Sequence, residues 1–195
     1  MLCVPSTIRR DDRDPQELKR VFEKGIAYEI WMMQATAREL AQASFPADAA
    51  FRNAFLESFL LHVRNLLEFL APGGRARRDQ DTVIACDYFP EPEIWEGDAN
   101  QGEMGLRGDF ERHFEKQLAQ APELGCCSIE GFRRLLNKKL AHVAFSNREL
   151  THWPLGKIME GVQGGFRLFA KAIQDKGKQE IRSLGLDVTA QDGGT

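Results

Sequence analysis

The chain has 195 residues, 43% of them hydrophobic and 28% charged, with a formal net charge of −3. That is enough chain and enough apolar content for one domain with a sizeable core, and the charge provides no global field that would draw in a polyanion. No apolar run approaches the ~20 residues of a membrane span, and residues 1–14 are too polar for a secretory signal, so a cytoplasmic protein without membrane contact is expected.

Residues 1–13 read as a flexible arm. Asp14-Pro15-Gln16-Glu17 is a helix start: Asp14 can cap, Pro15 suits the first helical position, and Glu17 sits where a capping-box acid would. The first helix is predicted over 15–43, with Leu18, Val21, Phe22, Ile26, Tyr28, Met32, Met33 and Leu40 on its apolar side. Gly25 predicts either a close helix crossing or a bend. Ser44 to Asp48 form a turn and a cap.

The second helix is predicted over 49–71 and contains the stretch that organises the chain, FLESFLLHVRNLLEFL, residues 55–70. At helical spacing Leu56, Phe59, Leu60, Val63, Leu67 and Leu70 share one face, with Phe55 and Leu66 at its edge. Ser58, His62, Asn65 and Phe69 form a second stripe, and Glu57, Arg64 and Glu68 a third. A helix this apolar is covered on most sides, so some of these polar groups need buried partners. His62, like His113 and His152, reads as mostly structural or surface.

Pro72-Gly73-Gly74 stops this helix. A long, irregular insertion follows. Its segment 82–89 is either strand-like or a helical turn, and its prolines keep residues 89–93 extended. Ile94 and Trp95 are expected to pin it to the body. The third helix is predicted over 103–120, with Leu106, Phe110, Phe114 and Leu118 spaced by four. Ser128 caps a fourth over 129–145, which aligns Ile129, Phe132, Leu136, Leu140 and Val143. Trp153-Pro154 opens a fifth that runs to about 176, where Gly161, Gly164 and Gly165 signal close packing or bending. The expected architecture is an all-α, single-domain bundle of about five helices over 14–176, with a long irregular insertion between the second and third helices and a core-poor tail over 177–195.

Charge is segregated. Residues 79–106 carry eight acids and no Lys or Arg, whereas residues 128–148 carry five basic residues and one acid, Glu130. Either the acidic loop covers the basic helix or that helix faces a polyanion. The four cysteines, Cys3, Cys86, Cys126 and Cys127, fit neither a zinc site nor a CxxC pair, which predicts free thiols in a reducing compartment. Asp79, Asp81 and Asp87 could hold a hard cation, but loop carboxylates are usually just solvated. No metal or cofactor is expected.

No P-loop, dinucleotide-binding glycine pattern, HExxH or GxSxG is present. Two half-motifs remain. Arg64-Asn65-Leu66-Leu67-Glu68-Phe69 carries an Arg and an Asn, and Asn137-Lys138-Lys139-Leu140-Ala141-His142 carries a His. Together with the helix count and chain size they resemble the HEPN group of helical bundles, whose motif is an Arg followed four to six residues later by a His, often RNxxxH. Here Phe69 stands where the first segment would need His, and Asn137 where the second would need Arg.

The resemblance implies RNA or nucleotide handling, a metal-independent ribonuclease if the protein is an enzyme, and a homodimer. RNA cleavage by its own 2′-hydroxyl needs a group to move protons and a cation to steady the phosphorane charge. If the second and fourth helices pack together, Arg64 and His142 form a composite catalytic pair, and Asn65, Asn137, Lys138 and Arg133 form the substrate-binding set. The alternative is a non-catalytic interaction module with a protein partner, in which Arg64 pairs with Glu57 or Glu68 and these residues are polar staples. The wide apolar stripes of the first and fifth helices independently point to a dimer.

Overall fold

The computed structural model describes residues 13–42, 49–73, 82–98, 104–141 and 153–183. Among these the protein is all-α, with no strand. In chain order it comprises α1 (Pro15–Val21), a π-helical segment (Phe22–Ile26), α2 (Ala27–Ala41), α3 (Ala49–Leu70), α4 (Glu93–Glu96), α5 (Leu106–Ala119), α6 (Ile129–Ala141), α7 (Leu155–Lys176) and α8 (Gln179–Ser183). Short 3₁₀ turns lie at Ala85–Tyr88 and Pro122–Leu124.

The first predicted helix forms as one rod with a wider turn in it. Asp14 caps it, its Oδ1 accepting from the Gln16 amide at 3.0 Å. The π segment places the Ala27 amide on the Phe22 carbonyl, five residues back, so one residue is looped into the rod. Gly25 lies in this segment, and nothing sits within 4 Å of where its Cβ would be. The close-crossing reading of Gly25 therefore fails, and the glycine marks the irregular turn instead.

α3 is the centre of the bundle, with α2, α6 and α7 packed on it. Phe59, Leu60, Val63, Leu67 and Leu70 are fully buried, as the periodicity requires, and so is Leu66 at the edge of that face, whereas Leu56 is half-buried. Phe69, on the mixed polar stripe, is buried too, because it enters an aromatic cluster. Its ring lies 5.3 Å from Phe169, 5.8 Å from Tyr88 and 6.5 Å from Phe22.

The insertion supplies much of that cluster. Segment 82–89 is a 3₁₀ turn rather than a strand, and it delivers Tyr88 and Phe89 to the core, where both are buried. The Tyr88 hydroxyl donates to the Leu18 carbonyl at 2.8 Å. Trp95 is fully buried and its indole N–H donates to the Leu70 carbonyl at 2.9 Å, so it both fills space and caps the end of α3. The acidic segment packs on α5, where Glu96 pairs with Arg107 at 2.9 Å.

The glycines of α7 permit close approach to α5. A Cβ at Gly161 would stand 2.5 Å from the Phe114 ring, and Cβ atoms at Gly164 and Gly165 would collide with His113 and Phe110. The chain does not leave the body at 177. The Lys178 amide donates to the Tyr88 carbonyl at 3.0 Å, and Ile181 of α8 is fully buried. The first part of the expected tail is thus core, a contribution that a single isoleucine in a polar stretch does not announce.

Candidate polar site on the central helix

Three polar groupings surround α3. The first joins it to α2. Glu29 Oε2 lies 2.6 Å from His62 Nδ1 and accepts from Asn65 Nδ2 at 3.1 Å. His62 is only 6% exposed. His62 and Asn65 are three residues apart and so share a helix face, and Glu29 meets both from the neighbouring helix. A carboxylate on Nδ1 fixes the orientation of the imidazole ring. Among the described residues Nε2 makes no hydrogen bond, and it is not among the atoms sealed from solvent. The Tyr28 ring packs edge-on against His62 at 5.9 Å, and Trp31 stands 6.2 Å from Tyr28.

The second grouping ties α6 to the end of α3. Arg133 is 7% exposed and donates from Nη2 to the Leu67 carbonyl at 3.1 Å. Its Nε lies 3.9 Å from Glu68 Oε1, and its Nη1 4.0 Å from Glu130 Oε2. Glu68 also accepts from the Gly73 amide at 3.3 Å. A cation placed on the last carbonyls of α3 offsets the negative end of the helix dipole. Nε itself has no hydrogen-bond partner.

The third is Arg64 alone. It is exposed, and among the described residues it has neither a hydrogen bond nor an ion pair. The expected pairs with Glu57 and Glu68 do not form; Glu68 turns instead to Arg133 and Gly73. Arg64 follows His62 by two residues, a rotation of roughly 200° about the helix axis. The two side chains leave opposite sides of α3 and do not share one phosphate.

α3 and α6 do pack together, which brings the helices of the two half-motifs side by side. Asn65 is engaged with Glu29, Arg133 is buried in the α3–α6 joint, and Asn137 and Lys138 are exposed on α6. His142 lies outside the described residues, as do Asp79 and Asp81. Asp87 is buried, accepts from the Ile84 amide at 2.8 Å and lies 3.6 Å from Arg13, which makes it a support for the 3₁₀ turn. Among the described residues no group of His, Cys, Asp and Glu could hold a metal ion, and no helix is long and apolar enough to cross a membrane.

Sequence reasoning set His62 aside, although it lay on the stripe with Asn65. The missing signal was its partner, Glu29, 33 residues away. Comparison of the chain with protein-family models, characterised proteins and solved structures gives no match.

Proposed function

We propose that the protein is a HEPN-like helical protein that binds RNA or a nucleotide through the surface around α3, with Arg64 as a phosphate contact. The observation that carries this reading is the exposed guanidinium of Arg64, which has no ion pair or hydrogen bond among the described residues. A cation held without a counter-ion on a helix surface is available to a phosphate. Exposed Lys138 and Asn137 on the adjoining helix add donors. Cleavage, as opposed to binding, rests on His142, because His62 leaves the far side of α3. The setting we propose is the cytoplasm, where the thiols of Cys86, Cys126 and Cys127, none of them bridged, stay reduced.

The test is titration of a labelled single-stranded RNA, read by fluorescence anisotropy. Arg64→Ala is expected to weaken binding several-fold and to reduce the salt slope by about the share of one phosphate contact. Equal affinity in the wild type and the variant refutes the role of Arg64. Absence of any RNA or nucleotide binding refutes the function.

A second reading has its own observation. Of the five large hydrophobic side chains exposed among the described residues, four, Tyr28 (50%), Trp31 (53%), Phe51 (48%) and Leu61 (43%), lie on α2 and α3, and the fifth, Met104 (61%), lies just before α5. Tyrosine, tryptophan and arginine are the residue types that anchor protein interfaces. A non-catalytic interaction module, self-associating through this hairpin, is the alternative. Sedimentation at micromolar concentration together with the RNA titration separates the two: a dimer that Trp31→Ala dissociates, in a protein that binds no RNA, favours the module, and a 22.1 kDa monomer excludes self-association.

A further inference from the structure

A separate feature lies between α2 and α7, away from the polar groups of α3. It is an open groove of about 390 Å³. Ala37, Leu155 and Met159 line it with apolar surface, and Gln34, Arg38 and Gln163 supply its polar groups. No acid is among its lining residues. Arg38 is exposed and makes no ion pair or hydrogen bond among the described residues. Gly156 also lines the groove, and nothing lies within 4 Å of where its Cβ would be. The backbone there faces open space.

We propose that this groove binds a small amphipathic monocarboxylate. The volume falls near the low end of the ~300–1,000 Å³ typical of small-ligand sites, which limits the occupant to a short acyl chain or a single aromatic system. The charge of the groove decides the headgroup. One guanidinium, with no carboxylate opposing it among the described residues, matches one carboxylate in a planar two-point contact. A phosphate, with up to two charges and more acceptor oxygens, calls for more cations than the groove offers. The amide groups of Gln34 and Gln163 can donate to the remaining carboxylate lone pairs. The apolar body lies against Ala37, Leu155 and Met159, where an unbranched thioether adapts to differently shaped ligands. The inference does not depend on RNA binding by α3, since it shares no residue with that surface.

Two substitutions test it without threatening the fold. Arg38→Gln removes the charge at an exposed helical position and keeps good helix propensity. Gly156→Leu fills the groove from a site where a Cβ meets nothing, and it favours the first turn of α7. Calorimetry and ligand-detected NMR would compare octanoate, 4-phenylbutyrate and indole-3-acetate with octanamide and inorganic phosphate. The expected result is saturable one-to-one binding of at least one carboxylate by the wild type. That binding falls at least tenfold for octanamide and in Arg38→Gln, and disappears in Gly156→Leu at an unchanged melting temperature. Failure of all three carboxylates to bind at millimolar concentration overturns the proposal. So does carboxylate binding that persists in both variants, or phosphate competing as well as the carboxylates do.

Discussion

Arg64 was expected as a catalytic cation and Arg133 as a substrate-binding one, yet the structure gives them opposite surroundings, and Arg133→Ala exposes the difference. Arg133 is 7% exposed and its Nη2 donates to the Leu67 carbonyl at 3.1 Å. Loss of that charge-assisted bond costs about 1.5–3 kcal/mol. Removal of two buried methylenes adds about 1.5 kcal/mol. The contacts to Glu68 and Glu130, at 3.9 and 4.0 Å, are too long and too wet on the acid side to add much. Relief of the unpartnered Nε returns roughly 1 kcal/mol. The net loss is about 2–4 kcal/mol, which lowers the melting temperature by on the order of 10 °C in a domain of this size. Arg133→Met keeps the stem and should recover about half of that loss. Arg64 is exposed and has no partner among the described residues, so Arg64→Ala should melt like the wild type. Thermal unfolding followed by circular dichroism provides the assay. A wild-type melting curve for Arg133→Ala would refute the staple assignment, and a drop of several degrees in Arg64→Ala would show that Arg64 supports the fold.

Gly165→Ala forces a methyl into Phe110 and Leu70 and should cost about 1–3 kcal/mol, whereas Gly25→Ala meets nothing within 4 Å and should be neutral or stabilising by up to ~1 kcal/mol; equal melting temperatures would contradict the packing described for α5 and α7. Glu29→Ala leaves His62 and Asn65 without their shared acceptor, at a cost of about 1–3 kcal/mol in chemical denaturation; an unchanged midpoint would mean that the cluster is not formed in solution. Burial, followed by the charge of Asp87, pushes the Tyr88 phenol well above its ordinary range, so the native state holds that proton more tightly than the unfolded chain does. Its contribution to stability is complete below about pH 10, the unfolded phenol's value, and is lost as pH rises beyond it; alkaline spectrophotometric titration of the wild type against Tyr88→Phe should show the Tyr88 phenol ionising only on unfolding. Burial also raises the Cys126 thiol, with Cys127 adding to the shift, so exposed Cys127 should alkylate before Cys126 near neutral pH, as peptide mapping after a brief iodoacetamide pulse would show.

The helices themselves were legible because helix formation is governed by neighbours within one or two turns. The spacing of Phe59, Leu60, Val63, Leu67 and Leu70 marked the face that α3 buries, Asp14 and Pro15 marked a start, and Pro72 with Gly73 marked an end; each falls where the backbone places it. The α7 glycines announced close packing, and the aromatic rings of α5 provide it. Trp95 was likewise readable as an anchor, since a large indole in a polar loop has few other uses. The partners were not legible. Glu29 reaches His62 across 33 residues and Arg133 reaches the Leu67 carbonyl across 66; neither pair leaves a periodic trace in the chain. For the same reason the sequence could not distinguish Arg64 from Arg133, or recognise Tyr88 and Ile181 as core. A charged side chain becomes a staple or a free ligand according to which distant carbonyl or carboxylate the fold brings within about 3 Å of it, and only tertiary packing sets that distance.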